Sequence, residues 1–488
     1  MRAWFVSAFL FAASVLAAPG EERSHPVPAA SCGPHDRTES VQGETTLAER
    51  FAPGQPQAYY CNVELVGQFE GEGSSADMRA FGNCAYYSTG QIFPDQSPQM
   101  QHPGVAVLDV SNPQHPRATA YLDSPVMRAA YESLEISPTQ KLLIASTQPD
   151  SFELYDLSID CRHPILKRSL SFPNLFSHSG TFAPDGRTFY GAKWPPVPKT
   201  PPASAVFAID TGDASHPRLV ATWIPPKSNW LPHGVALSKD GTLAYVTMIS
   251  FQADSDVNGL VVLDVSDVQA RRQNPNIRVV GTLFWSDTHV AQFALPVTIA
   301  DKQYLVVTDL AGALPAGPAS ANACASGKPA HGFARIVDVS HAAHPTIASK
   351  LMLEVDNPAN CSKVMHDPTF GYSSYGCSVD REENPRLLAC GYWEGGLRVF
   401  DIRNPYQPRE VAYYKPPARR SQNHPGSLYP ILQVGPPTGQ ARDHTADPVI
   451  FPEFRENSDI WFNSADNGFQ VVRFAERFKA LHPELFRN

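Results

Sequence analysis

One seven-residue strand motif recurs seven times along the chain, and few folds accommodate that. The copies are GVAVLDV (Gly104 to Val110), SFELYDL (Ser151 to Leu157), AVFAIDT (Ala205 to Thr211), GLVVLDV (Gly259 to Val265), FARIVDV (Phe333 to Val339), GLRVFDI (Gly396 to Ile402) and GFQVVRF (Gly468 to Phe474). Six carry a marker acid, Asp109, Asp156, Asp210, Asp264, Asp338 and Asp401, at spacings of 47, 54, 54, 74 and 63 residues; the seventh has Arg473 there. β-branched and aromatic residues favour a strand at each copy. A unit repeated at this period is one supersecondary element that buries its apolar faces only against its neighbours.

The residues around each copy supply the rest of the unit. Most markers lead into a polar turn that ends in Pro, as in SNPQHPR after Asp109 and RNPYQPRE after Asp401. There Asp and Ser cap backbone donors, and Pro gives nothing to a ladder. Upstream, TFAPDGRTFYGA and VALSKDGTLAYVTM read as strand pairs folded at Asp185-Gly186 and Asp240-Gly241. Each unit is thus four short antiparallel strands, and the expected fold is all-β, a seven-bladed β-propeller. The early segment YYCNVELVGQFEG (Tyr59 to Gly71) has strand composition without a marker, so it is expected to complete the C-terminal blade and close the ring. The expected layout is a signal peptide at 1–18, a flexible Pro-rich lead-in at 19–57, the propeller at 58–474 and a C-terminal tail at 475–488.

Composition agrees. Charged residues make up only 18 % of the 488, and 46 are Pro, which disfavours helical bundles. A net charge of -9 without a basic block argues against a nucleic-acid surface. Residues 1–18, MRAWFVSAFLFAASVLAA, pair an early Arg2 with an apolar run and small residues at Ala17 and Ala18, the pattern of a secretory signal. No later stretch has the roughly 20 apolar residues of a transmembrane helix. A secreted or periplasmic location is therefore expected. Eight cysteines follow the leader, an even number that permits complete pairing in an oxidising compartment. Cys377 with Cys390 and Cys324 with Cys361 are plausible bridges, while connectivity as a whole stays open.

The strands GVAVLDV, GLVVLDV and GLRVFDI, each leading into a turn such as SNPQHP or RNPYQP, resemble the LVIVD-repeat family of exported bacterial proteins. The likeness runs from about Ala58 to Phe474 and is strongest over Cys377 to Tyr414 and Asp466 to Phe474. It implies a β-propeller and an exported location, and it brings no defined reaction.

Histidines carry the chemical signal. His115, His163, His216 and His344 precede Pro in the inter-strand turns and read as surface residues. In another register, His178 stands seven residues before Asp185, His233 seven before Asp240, and Glu132 seven before Thr139. The first strand of every propeller blade runs beside the axis, so these positions converge at its hub. His289 in the next blade and His444 in the last extend the set, with Asp443 and His366 as weaker members; in the sixth blade Tyr375-Gly376 stands where a polar residue is expected. Imidazoles meeting with a carboxylate suit Zn, Cu or Fe, because Ca²⁺ and Mg²⁺ want oxygen. The tryptophans Trp194, Trp223, Trp230, Trp285, Trp393 and Trp461 recur near blade rims and are expected to pack between blades.

No GxSxG elbow, Walker loop or HExxH appears, so acyl-hydrolase, nucleotide and zincin chemistry lack their motifs. Two functions remain. One is a module that binds a small molecule, a glycan or a protein on its loop face. The other is a metal-dependent enzyme, oxidoreductase or lyase, with His178, His233, His289 and His444 as ligands and Glu132 as a ligand, a support behind the ligands or a general base.

Overall fold

The computed structural model describes residues 25–44, 56–89, 101–193, 203–249, 257–312, 323–361, 371–417 and 449–486. Seven antiparallel sheets follow one another around an axis, six of four strands and one of five. Their first strands are Met78–Phe81, Glu135–Ser137, Ser179–Phe182, Leu231–Leu237, Thr288–Ile299, Cys377–Val379 and Val449–Phe454, and all seven line a central cavity of about 570 Å³. We number the blades 1 to 7 in that order. The expected seven-bladed propeller is the fold observed.

Every copy of the motif is the third strand of its blade, from Val105–Asp109 in blade 1 to Gly468–Phe474 in blade 7. The core is divided among the interfaces between neighbouring blades. Between blades 2 and 3, Ile144, Phe152 and Leu154 meet Phe189, Phe207 and Ile209. Between blades 4 and 5, Leu260 and Val262 meet Leu305, Val307 and Val337. A third strand is therefore covered on both faces, which is why VAVLD and LVVLD read as continuous apolar runs.

The marker acids act on the turn that follows. In all six blades that have one, its carboxylate accepts the backbone N–H two residues on, at Ser111, Ser158, Gly212, Ser266, Ser340 and Arg403. Four of them also pair with a cation on the fourth strand, Arg117, Lys167, Arg218 or Arg278, and Asp401 with Arg409. Those cations are 41–72 % exposed, so each pair is worth about 1 kcal/mol or less, and the cap is the constant contribution. Blade 7 exchanges the charges: Arg473 pairs with Asp459 of the second strand at 2.6 Å.

Ring closure is as expected for Val63–Phe69, which pairs with Gly468–Phe474 and completes blade 7. The three residues before it do something else. Tyr59–Cys61 pairs with Arg409–Lys415 as a fifth, outer strand of blade 6. Asn62, at φ 60°, turns the chain from one sheet to the other, and its side-chain amide donates to the Ser31 and Val411 carbonyls.

Residues 25–44 are not the flexible lead-in that their composition suggests. Val27 is buried in the core between blades 5 and 6, and its N–H donates to the Met352 carbonyl at 2.9 Å. Glu39 binds the fully buried Arg398 through both oxygens, at 2.6 and 2.8 Å. The physical reason lies in blade 6, which buries both Arg398 and Lys415 beside its own Glu410, so a second carboxylate from outside the blade balances them. At the other end, the helices Glu476–Leu481 and Pro483–Phe486 bury Phe478 and Leu485 against blades 6 and 7. The leader at 1–18 lies outside the described residues.

Four disulfides join Cys32 to Cys61, Cys84 to Cys161, Cys324 to Cys361 and Cys377 to Cys390. Both bridges suggested by the sequence are present. Among the described residues, no helix is long and apolar enough to cross a membrane.

Candidate metal centre

Three of the sequence-selected residues meet at the hub. Glu132 ends the connection into blade 2, His178 directly precedes the first strand of blade 3, and His233 lies inside the first strand of blade 4. The His178 and His233 Nε2 atoms are 3.0 Å apart, and Glu132 Oε2 lies 3.0 Å from the first and 3.4 Å from the second. Glu132 and His233 are buried, and His178 is nearly so. Glu132, His178 and His233 form a group of possible ligand atoms within 4.8 Å of one another. Among the described residues the other such group, Cys32, Asp36 and Cys61, has both sulfurs committed to a disulfide.

The donors are oriented for a cation. His233 Nδ1 is 3.1 Å from the Gln292 carbonyl, which only accepts, so the neutral ring carries its proton on Nδ1 and turns the Nε2 lone pair toward His178 and Glu132. Burial and the neighbouring His178 push the His233 ring down to about 3, so it is neutral across the physiological range. Burial works to raise Glu132, but His178, His233 and the Tyr375 hydroxyl outweigh it and hold the carboxyl at about 2.

An ion about 2.1 Å from each ligand atom separates neighbouring atoms by about 3.0 Å in octahedral and about 3.4 Å in tetrahedral geometry. The observed triangle of 3.0, 3.0 and 3.4 Å falls within that range. Two imidazoles and one carboxylate as the protein donors suit transition metals and leave positions for water or substrate.

Neighbouring blades supply the walls. The Tyr375 hydroxyl, from blade 6, donates to Glu132 Oε1. Phe293 stands 5.8 Å from the His233 ring and 5.3 Å from both Tyr375 and Phe451. Phe293 and Phe451 also line the axial cavity, so this aromatic layer separates the triad from it. Three bulky residues near the hub have positive φ: Tyr131 at 44°, Val290 at 61° and Trp393 at 25°. Such backbone costs of order 1–3 kcal/mol per residue and gathers where function holds it. Tyr131 precedes Glu132. Val290 opens the irregular stretch of Thr288–Ile299 that presents the Gln292 carbonyl to His233.

The other sequence candidates fall elsewhere. His289 is buried but outside the triad; the register shifts in the two first strands match His233 to Gln292, three residues further on, whose carbonyl meets the His233 ring. His444, Asp443, His366 and Trp194 lie outside the described residues. Glu135, three residues beyond Glu132 and not itself a candidate, pairs with Arg79 at the wall of the axial cavity. His163 and His216 are exposed turn residues held by Asp160 and Asp213. Trp223, Trp230, Trp285, Trp393 and Trp461 are buried, in keeping with packing. The contributions of Tyr375 and of the Gln292 carbonyl were not assigned from sequence. Tyr375 occupied the expected register but is not an ordinary ligand type, and a backbone carbonyl has no sequence signature.

No family model matches the chain, and no curated relative matches it. Among solved structures, the β-propeller domain of Myceliophteria thermophila Cps50 (Swd1) is similar at 10 % identity and a TM-score of 0.49, covering 85 % of this chain and all of that one. The WD40 β-propeller domain of Doa1 is similar at 10 % identity and a TM-score of 0.46, covering 85 % and 98 %. Neither likeness bears on function.

Proposed function

We propose that this protein is an exported metal-dependent enzyme, with a Zn, Cu or Fe ion held on the propeller axis by Glu132, His178 and His233. The observation that carries the reading is the convergence of one carboxylate oxygen and two Nε2 atoms within 3.4 Å at a buried point. An ion with three protein ligands keeps positions for water or substrate and acts by activating the one or polarising an oxygen of the other. This chain's own residues fix the His233 tautomer through Gln292, keep Glu132 ionised and shield one side with Phe293. A propeller also suits a module that binds a protein or small ligand, but only the triad points to a particular chemistry.

Export is supported by the leader pattern at 1–18 and by the four disulfides. Membership of the LVIVD-repeat propellers is supported by the motif copies, which serve as the third strands. The test is elemental analysis of purified protein after reconstitution with Zn²⁺, Cu²⁺ or anaerobic Fe²⁺. One ion per chain is expected in the wild type and in His289→Ala, and a large loss in His178→Ala and His233→Ala. A folded wild type that takes up none of the three ions refutes the proposal.

A further inference from the structure

Glu132 uses its two oxygens differently. Oε2 faces the imidazoles, while Oε1 accepts the hydroxyl of Tyr375, a residue 243 positions away on the opposite side of the ring. Tyr375 is fully buried, and its ring is held by edge contacts with Phe293 at 5.3 Å, Trp393 at 5.7 Å and Phe451 at 6.3 Å. Its backbone is equally fixed, with Tyr375 N–H donating to the Gly391 carbonyl at 2.8 Å and Gly376 N–H to Ile450 at 3.1 Å. The Tyr131 phenol lies beside the same carboxylate and Tyr375, from a backbone held at φ 44°. One phenol thus bonds, and a second stands beside, the one group of the triad that has a choice of binding mode.

We infer that Tyr375, assisted by Tyr131, is a positioning residue that holds Glu132 as a one-oxygen ligand. The inference rests on the triad being the metal centre proposed above. A carboxylate whose second oxygen is engaged by a phenol is hindered from closing onto the ion in two-oxygen fashion. That keeps a coordination position open and favours nitrogen-loving transition metals over Ca²⁺, which takes many oxygens and two-oxygen carboxylates readily. Partners that orient ligands from behind in this way typically change metal affinity by about 10- to 100-fold when removed.

The test compares wild type, Tyr375→Phe and Tyr131→Phe by Co²⁺ titration in visible light, by Zn²⁺ competition and by thermal melting of the metal-free protein. Tyr375→Phe is expected to weaken Zn²⁺ and Co²⁺ about 10- to 100-fold and to move the Co²⁺ ligand-field bands, as Glu132 changes its binding mode. A residue that serves only in packing lowers the melting point and leaves bands and affinity unchanged, and that result overturns the inference. Should Tyr375→Phe not fold, Tyr131→Phe, which keeps its ring, must show the same band movement at smaller size; unchanged bands there refute the pair's role. A wild type that binds no Co²⁺ or Zn²⁺ defeats the metal reading itself, whereas binding by the wild type with indifferent variants defeats only this inference.

Discussion

Glu39→Gln should cost this protein about 3–5 kcal/mol, the penalty for leaving a buried charge without its partner. Arg398 is fully buried and touches two carboxylates, Glu39 at 2.6 and 2.8 Å and Glu410 at 3.0 Å. The buried Lys415 Nζ stands 3.5 Å from Glu39. Two cations therefore balance two anions in a dry site, and the amide leaves Arg398 and Lys415 facing Glu410 alone. Exposed ion pairs elsewhere in the molecule are worth about 1 kcal/mol or less, so the two classes are separable by size. Equilibrium urea denaturation measures the loss, and hydrogen exchange at Val27, whose N–H binds Met352, reports whether residues 25–44 detach first. Adding Arg398→Met should recover much of the loss, because the double variant no longer buries the arginine's charge. A loss below about 1 kcal/mol for Glu39→Gln, or additive single and double variants, would refute this account of how the segment is held.

Burial pushes Lys415 down from 10.5 to about 8. Between those values the unfolded chain keeps a proton that the native chain has released, so this residue makes stability rise with pH across the window, by up to about 3 kcal/mol. Lys415→Met should flatten the rise in denaturation midpoints between pH 8 and 10.5. Glu453, on the axial cavity, has the opposite sign: burial raises it from 4.5 to about 7 against Arg79 and Arg455, so its contribution falls as pH rises through that interval. Relative to wild type, Glu453→Gln should therefore gain on the order of 1–3 kcal/mol between pH 4 and 8, read from paired melting curves. The Cys84–Cys161 bridge closes a separation of 77 residues between blades 1 and 2. Replacing both cysteines with serine should cost up to about 4 kcal/mol in chemical denaturation; no measurable loss would mean that the unfolded chain is already constrained there.

Much of the fold was legible because it repeats. A third strand covered on both faces must be apolar throughout, and the turn after it needs an acceptor for a backbone donor, so GLVVLDV and its relatives show both requirements in one line of sequence. The hub was legible for the same reason: equivalent positions in successive blades point at one axis, which is how Glu132, His178 and His233 were found together. His289 misled because its distance from the next turn did not match that of His178 and His233. The irregularity between Pro232 and Val235 that contains His233 has its counterpart between Ala291 and Ala294, so the matching residue of Thr288–Ile299 is Gln292 and not His289.

Residues 25–44 were misread for a different reason. Pro, Ser and charge describe a segment with little apolar surface of its own, and nothing local reveals that its Glu39 is required by an arginine 359 positions later. The same holds for Tyr375 and Glu132, joined across the ring. Local propensity and periodicity are properties of neighbours in the chain, so the sequence alone determined the motif strands, the turns after them and the number of blades. Which charges, phenols and carbonyls meet depends on closing the circle and on where each strand bends, and only the assembled ring decides that.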